Sequence, residues 1–121
     1  MEYRSHRKLD VWKRSMEFVK DIYKATETFP KHEMYGLVSQ IRRAAVSIPS
    51  NLAEGAARKG TKEFKQSLNI AQGSISELDT QIELASTLNY TNRNMYDDLM
   101  EKLNTISKML FGLSRSLKSE K

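Results

Sequence analysis

The chain has 121 residues, 39% of them hydrophobic and 29% charged, with a formal net charge of +5. This is enough chain for one domain with a real core, and the balance excludes an intrinsically disordered protein. Its apolar runs fall far short of the roughly 20 residues that cross a bilayer, and the absence of cysteine removes disulfide and thiolate chemistry.

Gly (5) and Pro (2) are scarce, which favours long helices over a turn-rich β architecture. Four helices are predicted, at about residues 9–28, 33–58, 61–88 and 92–118, within a single domain covering 1–121. Helix one carries Val11, Trp12, Met16, Phe18, Val19, Ile22 and Tyr23. That face is wider than the roughly 100° stripe one core contact needs, so its surplus is expected to lie against a neighbouring subunit. Basic residues crowd its start: Arg4, Arg7, Lys8, Lys13 and Arg14.

Pro30 closes the first helix, and FPKHEMYG turns the chain into the second, whose core stripe is Leu37, Ile41, Ala45, Ile48, Leu52 and Ala56. Pro49 interrupts it. Proline removes the hydrogen bond to the Ala45 carbonyl and costs about 3 kcal/mol in a helix interior. The apolar spacing continues past it, so a kinked helix is predicted rather than a chain reversal. A polar ribbon of Gln40, Arg43, Ser47, Asn51, Glu54 and Arg58 runs beside this stripe. Arg43 is expected to be held by Glu77 or Glu54, because an arginine in a partly buried seam needs a partner. Arg42, about 100° further round, is expected to stay hydrated and free for a phosphate.

Gly60 and Thr61 mark the passage into helix three, with Phe64, Leu68, Ala71, Ile75, Leu78, Ile82 and Ala85 at helical spacing. Gly73 is read as a point of close helix approach, flanked by Ser74, Glu77 and Gln81. Thr91 or Asn92 is the expected N-cap of helix four, whose seam is Tyr96, Leu99, Leu103, Ile106, Leu110, Leu113 and Leu117. The short connections predict an all-α, up-down-up-down antiparallel four-helix bundle with a proline-kinked second helix.

No catalytic constellation accompanies these elements. His6 and His32 have no second ligand at metal-binding spacing, Glu54 and Glu63 are single carboxylates, and no glycine-rich loop follows a strand. Neither an enzyme, a metal nor a cofactor is expected. Phosphate contact is the leading use of the clusters at Arg4 to Arg14 and at Arg58, Lys59, Lys62 and Lys65. The alternative is a structural or adaptor protein that docks a protein partner on the helix-one face of Trp12, Phe18 and Tyr23. A cytoplasmic protein without a membrane partner is expected, since no apolar leader follows Met1.

From Leu9 to Tyr90 the segments LDVWKRS, YKATETFP, EMYGLVSQIRRAAVSIPSNLAEGAARKGTKEF and LNIAQGSISELDTQIELA carry a resemblance. They resemble the four-helix bundle family of 23S ribosomal RNA intervening-sequence proteins. The signature falls on Tyr35, Gly36, Gln40, Arg42, Arg43, Ser47, Asn51, Glu54, Gly55, Glu63, Phe64, Gly73, Ser74 and Glu77. That family is similar in turn to the accessory variability proteins of diversity-generating retroelements, barrel-like pentamers that bind nucleic acid. The resemblance implies a bacterial homopentamer with an RNA- or DNA-related role and no catalytic activity. It makes the ribbon a structural network of Gln40, Arg43, Ser47, Asn51, Glu54, Ser74 and Glu77.

Overall fold

The structure, a computed structural model, describes residues 5–58 and 60–117. Four α-helices dominate: α1 Asp10–Thr26, α2 Leu37–Ala57, α3 Thr61–Thr87 and α4 Arg93–Ser116. Short 3-10 turns precede α1 (Ser5–Lys8) and α2 (Lys31–Glu33), and no strand occurs among the described residues.

The predicted stripes form one core. Ile41, Ala45, Ile48 and Leu52 of α2, Leu68, Ala71, Leu78 and Ala85 of α3, and Leu103, Ile106 and Leu110 of α4 are almost inaccessible to solvent. Tyr96, Leu113 and Leu117 pack on its margin. Ser47 of α2 meets Ser74 of α3, and Gly55 meets Ser67, so advancing along α2 means retreating along α3. The pairs Gln72–Ser107 and Glu83–Tyr96 give α4 the same sense relative to α3.

Helix one departs from its expectation. Val11, Phe18 and Ile22 are core, and of the predicted face only Met16 and Tyr23 are exposed, each by somewhat more than two-fifths. Trp12 is covered by the chain's own N-terminal turn, with the His6 ring edge-on at 5.1 Å and the Arg7 guanidinium 5.7 Å from the ring centroid. Part of the surplus apolar face is therefore satisfied within one subunit.

α2 begins four residues later than the spacing predicts. Glu33, expected inside the helix, lies ahead of it and accepts the Leu37 N–H at 3.1 Å, satisfying a donor that has no partner within the helix. Its other oxygen accepts the Tyr90 hydroxyl at 2.9 Å, joining the α1–α2 turn to the α3–α4 turn. The Leu37 amide first, then Tyr90, hold the Glu33 carboxyl below the usual range, while the same bond pushes the Tyr90 phenol up. At the α3–α4 turn Asn89 takes the left-handed conformation (φ 62°), and Asn92 caps α4 by accepting the Met95 N–H at 2.8 Å.

α2 runs through Pro49 as one helix, and the proline ring is buried. The Asn51 amide bonds the Ser47 carbonyl at 2.8 Å and the Ser47 hydroxyl at 3.0 Å.

Candidate nucleic-acid interface

Arg42, near the start of α2, sits against the end of α1, so the contact between the N-terminal turn and α2 falls on the later part of α2. The three-residue link from α2 to α3 is at that same end. Arg7, Lys8 and Arg14 are thereby brought to the end of the bundle that carries Arg58, Lys62 and Lys65. All are exposed except Lys65, which is half-buried. Lys13, in the first turn of α1, is exposed as well, and Arg4 and Lys59 lie outside the described residues.

Arg58 reaches Glu54 at 3.7 Å, but both side chains remain more than half exposed, so the pair leaves the guanidinium hydrated. At the other end of the bundle exposed Glu27, Asp79, Glu83, Asp97 and Asp98 outnumber exposed Lys24, Lys31 and Arg93, the last of which pairs with Asp97 at 3.5 Å. There Tyr96 donates to Glu83 at 2.6 Å, which raises its phenol above the ordinary range. Charge is thus separated along the helix axis, and a polyanion meets a favourable field at one end.

The ribbon on α2 is smaller than predicted, and two of its assignments are reversed. Ser47, Asn51 and Ser74 form a compact network, with the two hydroxyls 2.7 Å apart. Gln40, Arg43, Glu54 and Glu77 are exposed and take no part in it. Arg43 makes no ion pair among the described residues. Arg42 is the arginine that is held: Nε donates to Thr26 Oγ1 at 2.9 Å, a terminal nitrogen donates to the Tyr23 carbonyl at 3.3 Å, and the guanidinium lies 4.5 Å from the Tyr23 ring centroid. The physical reason is that α2 has a neighbour on each flank. The seam that captures an arginine is the α1 side, where the last carbonyls of a helix are open to a cation. Arg42 is thus committed to α1, and Arg43 is the arginine of the pair that stands exposed with no ion pair among the described residues.

The glycines are exchanged in the same way. A Cβ on Gly73 would meet nothing within 4 Å, whereas one on Gly55 would lie 2.7 Å from Ser67 Cβ and 3.1 Å from Phe64 Cδ1. Gly55 is a point of close approach between α2 and α3. Sequence reasoning also missed a groove on the α1–α2 corner, lined by Tyr23, Met34, Tyr35, Val38, Arg42, Arg43 and Val46. Tyr35 is 97% exposed there. The available signal was a pair of large apolar residues, Met34 and Tyr35, in a turn where no helical phase directs them inward.

Among the described residues no group of three His, Asp or Glu side chains is placed to hold a metal ion, and no helix is long and apolar enough to cross a membrane.

Residues 7–112 match the family model described as 23S rRNA-intervening sequence protein. The fold is similar to the crystal structure of a protein of unknown function from the S23 ribosomal protein family of Bacteroides thetaiotaomicron. That similarity has a TM-score of 0.80 at 24% sequence identity, covering 87% of this chain and 95% of the other, and it speaks to the fold alone. No curated protein matches the sequence.

Proposed function

We propose, on the premise that this chain belongs to the 23S rRNA-intervening sequence protein family, that it is a non-catalytic homo-oligomer that binds RNA or DNA through phosphate contacts. The observation that carries this reading is the gathering of Arg7, Arg14, Arg58, Lys62 and Lys65 at one end of the bundle, away from the acidic end. Flexible, hydrated cations suit phosphate oxygens without reading bases, so affinity comes from counterion release rather than sequence. Cyclic repetition of the subunit multiplies this field, and five copies follow from the resemblance to the retroelement accessory proteins. The protein acts in the bacterial cytoplasm, where its polyanionic partners are.

Fluorescence anisotropy with a labelled 23S rRNA fragment and a duplex DNA of matched length, titrated at several salt concentrations, tests the proposal. The log–log salt slope should be about −0.9 for each duplex phosphate contacted. Arg58→Glu with Lys62→Glu should weaken binding to both probes and flatten the slope. Affinity independent of salt, or unchanged by these substitutions, would refute it.

A second reading, a protein-docking adaptor, draws on the exposed Tyr23, Met34 and Tyr35. The helix-one face first assigned to it is no longer available, since Phe18 is core and Trp12 is covered. No retardation of either nucleic acid at micromolar protein would favour this reading.

A further inference from the structure

We propose that the α1–α2 corner is a binding site for unpaired RNA, at which a base stacks on Tyr35 and a phosphate meets Arg43. The basic end of the bundle takes phosphates alone, whereas this second site takes a base as well and so tells single strands from duplexes. It rests on the nucleic-acid reading above and names the form of nucleic acid.

The ring is free. Tyr35 stands almost wholly in solvent, and no other ring or cation lies against it among the described residues. Tyr23, by contrast, already has the Arg42 guanidinium 4.5 Å from its ring centroid. The turn that carries Tyr35 is fixed. The Met34 N–H donates to the Lys31 carbonyl at 3.1 Å, and the Gly36 N–H donates to the Glu33 carbonyl at 3.0 Å. The Glu33 carboxylate is tied in turn to the Leu37 amide and the Tyr90 hydroxyl. A ring held outward by a pinned turn loses little freedom when a flat ligand lies on it.

Space and charge select among flat ligands. Tyr35 lines a groove of about 450 Å³ with Met34, Val46 and Arg43, within the roughly 300–1,000 Å³ of small-ligand sites. Of its two arginines, Arg42 is engaged by Thr26 and Tyr23, while Arg43 is exposed and makes no ion pair among the described residues. Lys24, next to Tyr23, and Lys31, in the turn before Met34, are exposed as well. The exposed acids of this end lie on α3 and α4, Glu27 excepted. An open aromatic face beside exposed cations suits single-stranded nucleic acid, because every base has a π-face and every nucleotide a negative charge. Bases inside a duplex are stacked on each other and cannot reach such a ring. Ser39 also lines the groove, and its hydroxyl makes no hydrogen bond among the described residues. That leaves it for a ribose 2′-hydroxyl, the group that separates RNA from DNA.

Fluorescence anisotropy with labelled probes of equal length tests this: an oligouridine, its deoxy counterpart and an abasic oligomer with the same phosphates. Wild type should bind the oligouridine about tenfold more tightly than the abasic oligomer, as one stacked base supplies. Tyr35→Ala should abolish that preference and Tyr35→Phe should keep it, since the ring stacks and the hydroxyl does not. Arg43→Ala should weaken binding and lower the log–log salt slope by about 0.7, the share of one single-strand phosphate. Circular dichroism should show unchanged helicity, because both side chains are exposed. A Tyr35→Ala variant that keeps the preference, or a wild type that has none, would overturn this site. Arg58→Glu with Lys62→Glu would still weaken binding in that case if the phosphate reading holds, and a wild type that binds no probe would overturn both. Equal affinity for the ribose and deoxy probes would overturn the assignment to RNA. Tyr35→Ala that alters the sedimenting species without altering the base preference would assign the groove to a protein contact instead.

Discussion

Between α2 and α3 the residues at close approach are small: Gly55 against Ser67, and Ser47 against Ser74 with Asn51 alongside. Between α1 and α4 they are long and charged. Lys102 reaches from α4 to Asp21 of α1 at 2.9 Å while also holding Asp98 at 3.1 Å, beside an open groove lined by Arg14, Glu17 and Glu101. The first seam depends on shape, since any added atom meets a backbone-fixed neighbour. The second depends on flexible charges that solvent can replace. Substitutions of similar size should therefore have very different costs in the two places.

Gly55→Ala breaks the tight seam most directly. The added Cβ forces Ser67 or Phe64 aside, and overpacking of this kind costs about 1–3 kcal/mol. A gain of about 1 kcal/mol in helix propensity offsets part of it. Denaturant unfolding should show net destabilisation, and a stabilised variant would mean that the helices separate freely here. Next in size is Arg42→Ala, which removes two charge-assisted hydrogen bonds and the stack on Tyr23. It should cost about 1–2 kcal/mol, the lower part of the range for charged hydrogen bonds because the group is partly solvated. Arg43→Ala, compared at concentrations where subunits are dissociated, should stay within about 0.5 kcal/mol. Equal effects would erase the distinction between the two arginines.

Gly73→Ala should act in the opposite direction. With nothing within 4 Å of the new methyl, only backbone entropy changes, and melting should show a gain of about 0.5–1 kcal/mol. In the charged seam, Lys102→Ala should cost less than about 1 kcal/mol and less still in high salt, as expected for an exposed pair. Its partners, Asp21 first, raise the Lys102 ammonium above its ordinary value, so the pair is complete at neutral pH and is lost only as pH climbs through that raised value. The last effect is a slope rather than a step. Glu33 is held below the ordinary carboxylate range, so its contribution is present above that range and fades as pH falls through the lowered value. Glu33→Gln should flatten the acid side of a stability–pH profile, and an unchanged profile would remove Glu33 from it.

Helix identity was legible because Leu99, Leu103, Ile106 and Leu110 repeat at the spacing that one buried face imposes. Which arginine is captured was not. Periodicity gives the phase of Arg42 relative to Arg43, but the groups that hold Arg42 include the backbone carbonyl of Tyr23, which leaves no mark in sequence. The two glycines could have been separated. Gly55 lies three residues after Leu52 and seven after Ile48, inside the buried stripe, whereas Gly73 is followed by exposed Ser76 and Glu77 and preceded by exposed Asn69 and Ile70. The N-terminal turn over Trp12 escaped notice because four residues are too few to show a period. The exposed groove at Tyr35 escaped for the converse reason: a turn residue has no helical phase from which to judge its direction.

Pro49 bears on how α2 comes apart. Without an amide at this position, the hydrogen-bond ladder has a missing rung facing the Ala45 carbonyl, and the helix is held together there by burial of the proline ring. Asn51, beyond the gap, reaches back across it to the carbonyl and hydroxyl of Ser47, and Ser47 in turn meets Ser74 of α3. In native-state hydrogen exchange the two halves of α2 should accordingly open together, through this side-chain clasp, rather than as separate units.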